Sequence, residues 1–144
     1  WGGTFVSSTY LWFAGGGANR GFEYDLNSPM ASLAEGVLIS VRDAMDSMFH
    51  PGLAIEQMID PYQVDGVVFH PIKSCRTTSA GQADSRRALM EKTDIPSLFI
   101  ESDMMDRRVV SEAQLKNRID AFFEGLASRS KRQQAAEAQA ATIT

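Results

Sequence analysis

The 144-residue sequence holds one cysteine and two histidines. One cysteine excludes an internal disulfide and any metal site built only from cysteines of this chain. With two histidines beside it, a self-contained zinc site is short of ligands. Long apolar runs are missing too: none approaches the ~18–20 residues of a membrane-spanning helix, so no membrane partner is expected. A basic excess is absent. The formal charge is −4, and residues 1–60 carry two basic and seven acidic side chains against twelve and eleven in residues 61–144. Neither part offers the basic surface of a nucleic-acid binder. No charged segment leads into an apolar one at the start, so nothing argues for secretion, and a reducing, cytoplasmic setting is expected. The chain starts at Trp1 rather than Met and runs straight into strand-like text, which suggests a piece of a longer protein. What is present, 44% hydrophobic and 22% charged residues, is ordinary globular composition and excludes a wholly disordered chain.

Residues 4–13, TFVSSTYLWF, are β-branched and aromatic and predict a strand. Gly15, Gly16, Gly17, Asn19 and Gly21 then give a flexible turn; GGGANRG fits neither the dinucleotide nor the Walker fingerprint. Pro29 suits a helical first turn, and Ser32 with Glu35 has capping-box spacing. Met30, Leu33, Val37, Val41, Met45 and Met48 fall on one helical face. Pro51 and Gly52 break that pattern, and a short helix over 53–62 follows. Residues 66–70, GVVFH, form a nearly continuous apolar run expected to be a strand buried on both faces. A polar segment spans 73–82, and 83–92 predicts a helix. SLFIE at 97–101 is a second buried strand, with Pro96 at its start. Ser111 and Gln114 have capping-box spacing before a helix lined by Leu115, Ile119, Phe122 and Leu126. After Ser128 apolar periodicity ends, and residues 129–144 are expected to be a flexible tail with some helical content.

Alternating strand and helix text implies an α/β fold: an open parallel sheet with right-handed crossovers and helices on both faces, in three layers. Three strands are few for such a sheet, a second hint that the chain is a fragment of a larger doubly wound subunit.

Ligands in open parallel sheets gather at the carboxyl ends of strands. Two segments qualify, His70 to Arg76 and Glu101 to Asp106, and neighbouring strands would set Cys75 near Glu101 and Asp103. Cys75 has three readings: a half-buried packing thiol; a nucleophile whose thiolate is favoured by Lys73 and Arg76, with His70 as the nearby base; or a metal or iron–sulfur ligand completed by thiolates from elsewhere. The methionines at 30, 45, 48 and 58 read as core filling. Met104-Met105 suit packing or an apolar pocket, and Arg107-Arg108 read as solvated rather than as anion contacts.

Residues 65–126 resemble the carboxyl-terminal part of the benzoyl-CoA reductase and 2-hydroxyacyl-CoA dehydratase family. The resemblance rests on Ser74-Cys75 after a strand, Ile95-Pro96 before the next, Glu101 with Asp103 after it, and Ser111-Glu112 with Gln114 opening a helix. Residues 1–64 are compatible, and ESDMMDRRVVSEAQLKNRIDAFFEGL is most similar to the B-type subunits of the ATP-dependent reductases.

The resemblance implies paired homologous subunits, each with a [4Fe–4S] cluster held by three cysteines, of which Cys75 matches the last. The other two lie outside this chain, so residues 1–128 would be the carboxyl-terminal domain of a longer subunit. It implies an acyl-CoA substrate beside the cluster and a separate ATP-hydrolysing activator that delivers single electrons. In the reductases, which act in anaerobic aromatic degradation, the thioester carbonyl becomes a ketyl-type radical anion on the way to a cyclic diene. In the dehydratases such a radical expels a β-positioned hydroxyl. Lys73, Ser74 and Arg76 would contact substrate or cluster sulfurs, and Glu101, Asp103 and His70 are the candidates for catalysis. The alternatives are a dehydratase subunit of the same family and a non-catalytic interaction domain.

Overall fold

The computed structural model describes residues 1–14, 21–44 and 52–142. The Gly15–Asn19 turn, Met45, Met48 and Pro51 lie outside the described residues. The elements in chain order are helices α1 (Thr9–Ala14), α2 (Pro29–Ala44) and α3 (Leu53–Tyr62), strand β1 (Val67–Phe69), helices α4 (Arg76–Ser79) and α5 (Gln82–Lys92), strand β2 (Ser97–Phe99), a 3₁₀ turn (Arg107–Val109) and helix α6 (Glu112–Thr142). The fold is mixed α/β and mostly helical, with a two-stranded parallel sheet among the described residues.

The strand expected at 4–13 is instead irregular chain followed by α1. Ser8 Oγ accepts the Leu11 N–H at 3.0 Å, the bond of an N-cap to the third helical residue. β-Propensity expresses packing on a pleated surface, and no described strand lies beside this segment. Trp1 is held by α6 instead: its Nε1 donates to Asp120 at 2.5 Å and its ring stacks on Phe123.

Pro29 opens α2 as expected, and the Ser28 carbonyl accepts the first helical bond from Ser32 at 3.0 Å. The Ser32–Glu35 capping box does not form there. Ser32 is buried within the helix, and its Oγ accepts from the Asp25 N–H at 2.9 Å, tying down the preceding loop. The apolar face is displaced as well. Ser32 and Gly36 point inward, while Met30, Leu33 and Val37 are exposed. Tyr24 covers Gly36 so closely that a Cβ there would lie 2.8 Å from its hydroxyl. Met30 therefore does not fill the core, whereas Met58 on α3 does.

β1 and β2 pair in parallel with Val67 opposite Ser97, Val68 opposite Leu98 and Phe69 opposite Phe99, as the two apolar runs predicted. The sheet is covered less evenly than expected: Phe69 and Leu98 are buried but Val68 is exposed. α5 brings Leu89, fully buried, into the core, and its Arg86 Nε donates to Ser97 Oγ at 2.9 Å. From α6, Arg118 donates to the Phe99 carbonyl at 3.3 Å, Arg129 to the Asp94 carbonyl, and the Phe122 ring sits over Gly66, where a Cβ would fall 2.7 Å from it. α6 runs on to Thr142, past the point where apolar periodicity stops, with residues 131–136 exposed.

Candidate functional site

The parallel pairing continues beyond the strands. The Ser102 N–H donates to the Pro71 carbonyl at 3.2 Å and the Lys73 N–H to the Ser102 carbonyl at 3.0 Å, forming an isolated bridge between Ile72 and Ser102. His70 Nε2 and Ser102 Oγ lie 2.6 Å apart and join the same two segments through side chains. The loops after β1 and β2 therefore run side by side at the carboxyl edge, as the strand order predicted.

Cys75 sits in this edge, half-buried, immediately before α4. Its N–H donates to the Ile72 carbonyl at 2.9 Å, closing a tight turn over Lys73 and Ser74. Its carbonyl accepts from the Ser79 N–H at 3.2 Å. Ser79 Oγ turns back to Ile72, accepting from its N–H and donating to its carbonyl, both at 2.7 Å. The turn and the four-residue helix thus form a closed knot with Cys75 in the middle. Lys73, Ser74 and Arg76 are exposed around it, as is His70.

Asp103 reaches this knot from the other loop. Its Oδ2 accepts the Ser74 N–H at 2.7 Å, while Oδ1 accepts the N–H groups of Met105 at 2.8 Å and Asp106 at 3.1 Å. Those bonds, the Met105 N–H foremost, and a further hydrogen bond from the Ser74 side chain hold its carboxyl below the usual carboxylate range against the opposing effect of desolvation. Asp103 is thus an ionised acceptor at neutral pH. Glu101 occupies a different place. It is exposed and lines an open groove along the outer edge of β2 with Phe99, Met90, Arg86, Arg87 and Arg118. The expected neighbourhood of Cys75 therefore holds Asp103, in contact with Ser74, with Glu101 on the far side of its strand.

Ser102 and Ser79 carry much of this geometry, and sequence reasoning missed both. Ser102 lies between two carboxylates that are the more obvious candidates, and a serine in a polar run gives no signal for Ser79. Arg108 forms a two-pronged ion pair with Asp106, Nε to Oδ1 at 2.9 Å and Nη2 to Oδ2 at 2.8 Å, on an exposed surface. The pair lowers the Asp106 pKa and raises that of Arg108. Met104 and Met105 are exposed. Among the described residues no group of three His, Cys, Asp or Glu side chains could hold a metal ion, and no helix is long and apolar enough to cross a membrane.

Comparison with known proteins gives the site its context. The B subunit of benzoyl-CoA reductase from Thauera aromatica is 34% identical over 123 residues, 85% of this chain and 28% of that protein. The alpha subunit of lactoyl-CoA dehydratase from Anaerotignum propionicum is 32% identical over 103 residues, 70% of this chain and 24% of that protein. The alpha subunit of (R)-2-hydroxyisocaproyl-CoA dehydratase from Clostridioides difficile is 31% identical over 67 residues, 46% of this chain and 16% of that protein. The chain thus spans about a quarter of the length of the first two relatives. No solved structure matches significantly. The family described as 2-hydroxyglutaryl-CoA dehydratase, D-component, matches residues 2–126, which include β1, β2 and both loops of the site, and the chain belongs to that family.

Proposed function

We propose that the chain is part of a subunit of an iron–sulfur enzyme that reductively dearomatises benzoyl-CoA-type thioesters by low-potential single-electron transfer. Its sheet would belong to a larger doubly wound parallel sheet of that subunit. The observation that carries the reading is the match to the B subunit of benzoyl-CoA reductase across 85% of the chain, coupled with the placing of Cys75 in a knotted turn at the carboxyl edge of the sheet.

The donor set fits one corner of a cluster. Cys75 offers one soft thiolate, and the described residues bring no second soft ligand beside it. A [4Fe–4S] group would therefore need two further cysteines from outside this chain. When bound, such a group supplies single electrons at low potential. The chain's own residues then have defined tasks. The Ile72–Ser79 knot holds the Cys75 backbone. Lys73 and Arg76, exposed on either side, would offset the negative charge of such a group. Ser74 and the exposed imidazole of His70 would donate hydrogen bonds to sulfur or substrate. Partners in this reading are a homologous subunit, an ATP-hydrolysing activator and the acyl-CoA substrate.

The lactoyl-CoA and 2-hydroxyisocaproyl-CoA dehydratase relatives support a second reading, a 2-hydroxyacyl-CoA dehydratase subunit. Turnover separates the two. The full-length subunit, paired with its partner and activator, should reduce benzoyl-CoA and leave 2-hydroxyacyl thioesters unchanged. Cys75→Ser in that complex should lower bound iron and abolish reduction while circular dichroism stays the same. Full iron content in the Ser variant would remove Cys75 from the site, and dehydration of the hydroxyacyl thioester without benzoyl-CoA reduction would favour the second reading.

A further inference from the structure

Asp103 reaches from the β2 loop to the backbone beside Cys75. Its two oxygens have separate tasks. Oδ1 closes the loop's own turn by accepting from Met105 and Asp106, whereas Oδ2 crosses to the Ser74 N–H at 2.7 Å. The adjoining Cys75 N–H is used within its own loop, on the Ile72 carbonyl. The successive N–H groups of Ser74 and Cys75 are thus held from the two loops, the first by Asp103 and the second by Ile72. The Ile72–Ser102 bridge and the His70–Ser102 contact lie on the strand side of that grip. Without the Asp103 bond, the tip of the Cys75 loop would extend past the last link to β2.

We propose that Asp103 is a positioning residue: its carboxylate fixes the Ser74–Cys75 backbone, and with it the direction of the Cys75 thiolate, rather than passing protons to substrate. The proposal rests on the reading of Cys75 as a cluster ligand and adds the residue that aims it. An acceptor engaged by three N–H groups is poorly placed to act as a proton donor, which sets Asp103 apart from the exposed Glu101.

Asp103→Asn isolates the cross-loop bond. A carboxamide has one acceptor oxygen, which can keep the Met105 and Asp106 bonds while its NH₂ faces the Ser74 N–H with no lone pair to offer. Asp106→Asn, which removes a loop carboxylate bonded only to Arg108, controls for lost charge. Both are made in the full-length subunit paired with its partner. In the iron-free pair, D103N should speed hydrogen exchange at the Ser74 amide and alkylation of Cys75 by iodoacetamide about tenfold or more, as expected for loss of a charge-assisted bond. In the iron-loaded pair it should alter the electron paramagnetic resonance spectrum and reduction potential and hasten iron loss to a chelator. D106N should change none of these. Unchanged exchange and alkylation in D103N, equal effects in both variants, or faster exchange with an unaltered spectrum and potential would each overturn the proposal. Cys75→Ser is measured alongside. If it keeps its iron, the cluster reading has failed, and the exchange and alkylation arms still decide whether Asp103 positions the thiol.

Discussion

Leu89→Ala perturbs the centre of the small core. Leu89 is fully buried on α5, and Met58, Phe69 and Leu98 are the other large hydrophobic side chains buried among the described residues. Truncating a fully buried leucine costs about 2–5 kcal/mol, combining lost transfer energy with the cavity left behind. The cavity part depends on how rigid the walls are. Here much of the surrounding sheet and helix surface is half-buried, so neighbouring groups can move inward, and the lower half of the range applies: about 2–3 kcal/mol. For a chain of this size each kcal/mol moves the melting temperature by about 3–4 °C, so the expected fall is about 6–12 °C. Met90→Ala is the internal control, since Met90 is its neighbour in sequence but is 55% exposed and should lie within about 0.5 kcal/mol of the wild type. Urea unfolding followed by circular dichroism, together with thermal scans, measures both. The slope against urea should stay constant, so that the midpoint alone carries the change. A loss below about 1 kcal/mol for Leu89→Ala, or a larger loss for Met90→Ala, would refute the placing of α5 against the sheet.

Gly66→Ala should destabilise the chain by about 1–3 kcal/mol in the same urea assay, because its Cβ would meet Phe122 at 2.7 Å; the double variant Gly66→Ala, Phe122→Leu should recover part of the loss. The Asp103 carboxyl is held below its ordinary value, so its bonds contribute fully above the unfolded carboxylate pKa and are lost as pH falls through the lower folded one. Amide shifts of Ser74 and Met105 should accordingly be flat from neutral pH down to about 4 and titrate together below it; a midpoint above the ordinary carboxylate value would contradict the hydrogen bonding. Ending the chain after Ser130 keeps the Arg129 contact with Asp94 and removes exposed helix, so the urea midpoint should correspond to a change within about 0.5 kcal/mol. A larger loss would show that the last turns of α6 pack against something.

The strands of the site were legible because β1 and β2 are short apolar runs with Pro96 at the start of one. Their pairing followed from the order of elements alone. The start of the chain misled for a physical reason. TFVSSTYLWF has the composition of a strand, but composition records what a pleated surface prefers, and the deciding fact was local: Ser8 stands three residues before the Leu11 N–H it caps. The α2 face misled in a similar way. Periodicity in Met30, Leu33 and Val37 is real, yet the inward positions belong to Ser32 and Gly36, selected by the close approach of Tyr24 and by the Asp25 N–H. Small inward residues leave no trace in an apolar pattern.

Asp103 and Glu101 differ in a way that sequence could not express. Two residues apart, they looked like equivalent carboxylates after one strand. The backbone separates them. Pro96 and Ile100 direct their carbonyl and N–H toward β1, and Ser102 does the same through its bridge to the Pro71–Lys73 segment. The intervening residues, Phe99 among them, face the opposite edge, where Arg118 reaches the Phe99 carbonyl. Glu101 belongs to that outer edge, with Arg118 among its neighbours in the groove. Asp103 comes after the last bridge, where the chain leaves strand geometry and turns on its own carboxylate. That turn frees its second oxygen for the Ser74 N–H. One carboxylate is thereby committed to the architecture around Cys75, and the other is left exposed beside a row of arginines. On the proposed positioning role of Asp103, Glu101 and His70 are the remaining candidates for a proton relay at this edge.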